Sequence, residues 1–118
     1  MKGGCFSELG MRRTPGPQLL NLDMHCYSES TIIHEFMHAL GVLHYQQRND
    51  RDIYVKINWN NIKPNKSHNF EKASPAFHYN TYDVEYDLER FMHYDAFAFA
   101  IDTSIPTMEP NVSIQNIV

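Results

Sequence analysis

Three histidines and a glutamate fall in a spacing that can do chemistry: His34-Glu35-Phe36-Met37-His38-Ala39-Leu40-Gly41-Val42-Leu43-His44, or H-E-x-x-H-x-x-G-x-x-H. Histidines four apart on a helix share one face, about 6 Å apart along the axis, so the His34 and His38 imidazoles can reach one ion. His44, beyond Gly41, can be swung in as a third ligand. Three protein nitrogens leave one tetrahedral position for water, which is the arrangement of a catalytic rather than a structural zinc. Glu35, beside the first ligand, is placed to act on that water as general base. With seven histidines in 118 residues, the full spacing arises by chance in on the order of one chain in ten thousand.

The element that must hold these residues is a helix over about 29–41. Ser28 or Ser30 can cap its start, and Glu29 sits near its positive end. Thr31, Ile32, Ile33, Phe36, Met37, Ala39 and Leu40 continue it without Gly or Pro, and Gly41 is where it can stop. Upstream, residues 3–16 read as loop, with an extended piece near Cys5-Phe6-Ser7, and Gln18 to Leu22 as a short strand. Downstream, Arg48-Asn49-Asp50-Arg51-Asp52 reads either as a solvated turn or as an ion-pair knot bracing the site. Tyr54 to Trp59 reads as extended, residues 63–75 as loop with a turn of helix near Phe70-Glu71-Lys72, and residues 79–87 as irregular, aromatic-rich chain. Phe91-Met92-His93-Tyr94 is a short apolar and aromatic knot, Ala96 to Ala100 is apolar, and the tail shows no clear closing element. His25, His68, His78 and His93 lie outside ligand spacing and read as surface or packing residues.

Composition bounds the rest. A hydrophobic content of 42% supports a core, and the length suits one domain or part of one. A net charge of −4 without a run of one sign argues against nucleic acid or a membrane surface as partner. No apolar stretch is long enough to span a membrane, and the first residues lack the apolar core of a signal peptide. Cys5 and Cys26 are compatible with a disulfide or with two free thiols. Two N-x-S sequons occur, at Asn65 and Asn111. There is no internal repeat and no sign of a second domain.

The motif does not stand alone. It is followed by Arg48 with Asp50-Arg51-Asp52, then by Tyr54-Val55-Lys56-Ile57-Asn58-Trp59-Asn60-Asn61-Ile62, Asn69-Phe70, Tyr86-Asp87, Met92-His93-Tyr94, Ala98-Phe99 and Met108-Glu109-Pro110. Gly4-Cys5-Phe6-Ser7, Gln18-Leu19-Leu20 and Cys26 precede it. With these residues, from about 4 to 111, the chain resembles the astacin family of zinc endopeptidases, within the metzincin group. The resemblance implies that 1–118 is part of an α+β, zincin-like catalytic domain, cut at both ends. In it the active-site helix lies with short strands above a cleft and an irregular lower half beneath. It implies one Zn2+ per chain on His34, His38 and His44, with Glu35 as catalytic base. It implies a Met-turn at about 91–95 with Met92 packed under the metal, and Tyr94 as a tyrosine that reaches the metal at rest and stabilises the transition state. It implies a Cys5–Cys26 disulfide, hence an oxidising, extracellular setting.

The sequence departs from the family at two places: Tyr45 stands where an acidic residue follows the third histidine, and Glu89-Arg90-Phe91 stand where small residues precede the Met-turn. Against the family pattern the chain also reads as cut at both ends, before most of the expected sheet and short of the closing helix. The expected activity is hydrolysis of protein or peptide substrates lying extended along an edge strand, through a metal-activated water with Glu35 as base. The alternative is a catalytically silent fragment or inactive homologue that binds a partner.

Overall fold

The computed structural model describes residues 3–74 and 80–111. The chain divides into two compact units, 1–43 and 44–118. Both are a mixture of short helices and two-stranded sheets, the α+β character expected from the sequence.

In the first unit, β1 (Phe6–Ser7) pairs antiparallel with β2 (Leu20–Asn21), with Phe6 opposite Asn21 and Ser7 opposite Leu20. The disulfide Cys5–Cys26 joins the chain before β1 to a 3-10 turn, Met24–Cys26, and Cys26 is fully buried. Asp23 caps that turn, its Oδ1 accepting from the Met24 amide at 2.6 Å. The principal helix, α1 (Glu29–Ala39), begins where Ser28 Oγ accepts from the Thr31 amide at 3.2 Å, satisfying one of the amides a helix start leaves open. Its end is a Schellman turn. Gly41 at φ +94° donates to His38 O and Val42 donates to Met37 O, both at 2.9 Å. The helix therefore stops two residues before the expected limit, with Gly41 as the left-handed residue just outside it.

In the second unit, α2 (Arg51–Tyr54) leads directly into β3 (Val55–Ile57). β4 (Met108–Pro110) pairs antiparallel with β3, Ile57 facing Met108 and Val55 facing Pro110. The expected extended run 54–59 is thus shorter. Tyr54 closes α2 and Trp59 opens a 3-10 turn, Trp59–Asn61. The helical turn expected near 70–72 lies earlier, at Ser67–Phe70. The tail, expected to close nothing, supplies β4, because its backbone finds partners in β3. Val55, Ile57, Ile62, Phe70 and Met108 form the core, with Tyr86, Tyr94, Ala98 and Phe99 packed on it. The buried Asn61 staples the loop before β4. Its Nδ2 donates to Asp102 O at 3.0 Å and Ile105 O at 2.6 Å, and its Oδ1 accepts from Asp102 N at 2.9 Å.

The reading of 79–87 as irregular chain holds for the part described, 80–87. His78 and Tyr79 lie outside the described residues.

Candidate metal centre

His34 and His38 project from α1 one turn apart, their ring centroids 4.6 Å apart and their planes nearly perpendicular. The Schellman turn at Gly41 then reverses the chain into His44. One ligand atom from each of His34, His38 and His44 lies within 4.8 Å of the others, and all three residues are half-buried. Among the described residues this is the one group of three or more His, Cys, Asp or Glu so arranged. The same turn sets the chemistry of His38. Its Nδ1 lies 2.8 Å from Val42 O, and a carbonyl can only accept, so Nδ1 carries the proton and Nε2 keeps its lone pair for a metal. Burial, the largest influence, holds His38 below its ordinary pKa of 6.5 and favours the neutral ring that ligation needs.

Glu35 projects from the same helix and is 5% exposed, and its Oε2 has no hydrogen-bond partner. A buried carboxylate oxygen left unpaired is costly, and it suits a site completed by a proton-donating molecule. Three imidazoles with a neighbouring buried carboxylate are a donor set that fits zinc and a base acting beside it.

In the second unit, the Tyr94 ring lies 4.5 Å from the His44 ring, between centroids, and also packs against Phe70 and Phe99. Burial raises the Tyr94 pKa and keeps the phenol protonated, as a hydrogen-bond donor. Met92 is 3% exposed, and its carbonyl accepts from the Tyr45 amide at 2.8 Å, tying the turn at 91–95 to the residue after the third histidine. Ahead of Met92 the chain makes a local turn in which Asp87 accepts from Glu89 N at 2.9 Å and from Arg90 Nε at 2.8 Å.

Both backbone groups of Tyr94 are held by side chains. Its amide donates to Gln46 Oε1 at 3.3 Å, and its carbonyl accepts from His93 Nδ1 at 2.8 Å. His93 Nε2 is then an acceptor, facing the Tyr86 hydroxyl at 3.0 Å. His93 is therefore a packing residue, as its lack of ligand spacing suggested. Burial lowers its pKa and raises that of Tyr86, so both remain neutral partners. Gln46, fully buried, was not singled out by the sequence. Its position two residues beyond His44 was the available signal.

The charged stretch 48–52 is a knot and not a solvated turn. Arg48 grips Asp50 through Nε at 2.9 Å and Nη2 at 2.7 Å, and donates to Val84 O at 2.9 Å. Its guanidinium also lies over the rings of Tyr45 and Tyr86, 5.3 and 5.2 Å from their centroids. Tyr45 is therefore built into a cation–aromatic stack. Arg51, 4% exposed, donates from Nη1 to Gln46 O and Phe70 O, each at 2.6 Å, and pairs with Asp52, which Lys72 also meets.

The chain as a whole is similar to known proteins. The family model that describes the astacin peptidases matches residues 1–118. High choriolytic enzyme 2 of Oryzias latipes is 44% identical over 96% of this chain and 40% of its own length. Meprin A subunit beta of Homo sapiens is 41% identical over 93% of this chain and 15% of its own. Among solved structures, high choriolytic enzyme 1, a hatching enzyme zinc-protease from Oryzias latipes, superposes with a TM-score of 0.82 at 42% identity. That match covers 92% of this chain and 52% of the other. The chain thus spans about two fifths of the length of the curated choriolytic enzyme it matches.

Proposed function

Because this chain belongs to the astacin family, we propose that it is the catalytic part of a zinc endopeptidase acting on protein or peptide substrates. One observation carries the reading: three imidazole donors within 4.8 Å of one another, in the same motif as a buried glutamate with an unpaired oxygen. Zinc held by His34, His38 and His44 would supply Lewis acidity, polarising a carbonyl oxygen and lowering the pKa of water. The protein's own residues do the rest. Glu35 takes a proton as the water oxygen adds to the carbonyl carbon, then delivers it to the leaving amide nitrogen as the C–N bond breaks. The protonated Tyr94 phenol donates a hydrogen bond to the oxyanion. Met92 supports the site as packing, with a flexible thioether filling an irregular gap. The Cys5–Cys26 disulfide supports an oxidising, secretory setting.

The test pairs metal analysis with proteolysis. The chain, with Cys5 and Cys26 oxidised, should retain about one zinc per chain and cleave a denatured protein. Glu35→Ala should keep the metal and lose roughly 10²-fold or more of the cleavage rate. Undiminished hydrolysis by Glu35→Ala removes Glu35 from the mechanism. Zinc retention without cleavage by the unaltered chain would favour a partner-binding role.

A further inference from the structure

The two N-x-S sequons differ in what the fold does with them. Asn65 is exposed at the tip of a turn closed by the Lys66 amide donating to Lys63 O at 3.1 Å. Its backbone is left-handed, at φ +64°. Ser67, two residues on, is exposed at the start of the 3-10 turn Ser67–Phe70. Lys66 is the cap position of that turn, and no side chain caps it. Neither the Asn65 amide nor the Ser67 hydroxyl is used in a hydrogen bond among the described residues. The left-handed turn by itself accounts for an asparagine, since Asn tolerates that conformation better than most residues. Gly or Asp would serve there as well. The turn gives no reason for a hydroxyl two residues later.

Asn111 is the opposite case. It is half-buried directly after β4, its amide N–H donates to Tyr54 O at 2.8 Å, and its side-chain Nδ2 donates to Asp52 O at 3.2 Å. A glycan on that nitrogen would have to displace the contact that fastens the residue after β4 to α2. The Cys5–Cys26 disulfide supplies the third element, because it points to the oxidising lumen in which sequons are modified.

We propose that Asn65 carries an N-linked glycan and that Asn111 does not. In the transfer, the Asn65 side-chain nitrogen attacks the anomeric carbon of a lipid-pyrophosphate-linked oligosaccharide. A C–N bond forms, the C–O bond to the pyrophosphate breaks, the nitrogen loses a proton, and the lipid pyrophosphate leaves. The proposal rests on the secretory setting above and not on proteolytic activity, so it can fail while the protease reading stands.

The experiment expresses the full chain behind a secretion leader in animal cells and recovers both lumenal and secreted protein. Peptides spanning each sequon are mapped before and after peptide-N-glycosidase treatment in ¹⁸O water. The expected result is ¹⁸O-labelled aspartate at position 65, an unmodified Asn111, and loss of the label in Ser67→Ala. That variant leaves the left-handed residue in place, so it separates loss of the acceptor from loss of the fold. Asn111→Gln should leave the glycosylated fraction at Asn65 unchanged. An unmodified Asn65 in protein whose Cys5–Cys26 bond has formed, or a glycan at Asn111 instead, overturns the proposal.

Discussion

Gln46 occupies a place that Glu35 mirrors: each is buried with one polar atom, Nε2 in the first and Oε2 in the second, that has no partner. For Glu35 the cost fits a base that works on a molecule from outside. For Gln46 it accompanies a grip on the Tyr94 amide. Gln46→Met would remove an unpaired donor and an acceptor at once, two effects of opposite sign and of about 1–3 kcal/mol each. The expected outcome is a stability change within about 1 kcal/mol and faster hydrogen exchange at the Tyr94 amide, read by NMR. Unchanged exchange at that amide would show that Gln46 does not hold it. The difference between what was legible and what was not is physical. Helical periodicity fixes where His34 and His38 point, so their spacing alone announces them. The burial of Gln46 depends on Arg51, Phe70 and Tyr94 arriving from elsewhere in the chain.

The turn and helix at 48–54 show the same dependence one level up. A run of alternating charges can be solvated or knotted, and the neighbours decide. Here Arg51 satisfies two carbonyls, of Gln46 and Phe70, from inside the core. Arg51→Ala should cost about 3 kcal/mol or more, because both carbonyls lose their donor in a buried place. Arg51→Lys should not restore the loss, since one ammonium cannot reproduce the planar fork. Urea denaturation measures both. Asp50 makes the knot sensitive to acid. Its bidentate bond from Arg48 is the main cause holding its carboxyl below the ordinary 3.8. A carboxylate depressed on folding stabilises the protein above the unfolded value and loses that contribution as pH falls through the folded one. Stability should therefore fall as pH drops below about 3.8, and Asp50→Asn should flatten that part of the curve, followed by thermal melting against pH. The helix α1 was legible because its caps and apolar run are local. β4 was not, since a three-residue strand ending in Pro110 has no pattern of its own and exists only against β3.

The whole molecule is two compact units with different means of support. The first rests on a disulfide that closes a loop of 21 residues in sequence, and the second on an apolar core with a cation–aromatic stack. Cys5→Ser with Cys26→Ser should destabilise the protein by about 3 kcal/mol. The loss of hydrogen-exchange protection should concentrate in residues 3–43, measured by mass spectrometry, and equal losses in both units would contradict separate support. The pairing of β3 with β4 has a consequence for synthesis. The strand pair β1–β2, the Cys5–Cys26 disulfide and α1 all lie before residue 43 in the chain. Val55 and Ile57 must wait roughly fifty residues more for Met108 and Pro110. Until then an unpaired apolar strand edge stands open, the kind of surface on which nascent chains associate. A pause in translation between Ile62 and Pro106 would therefore leave strand 55–57 without its partner for longest, and a chaperone that covers that strand would matter more than one that acts on the helix.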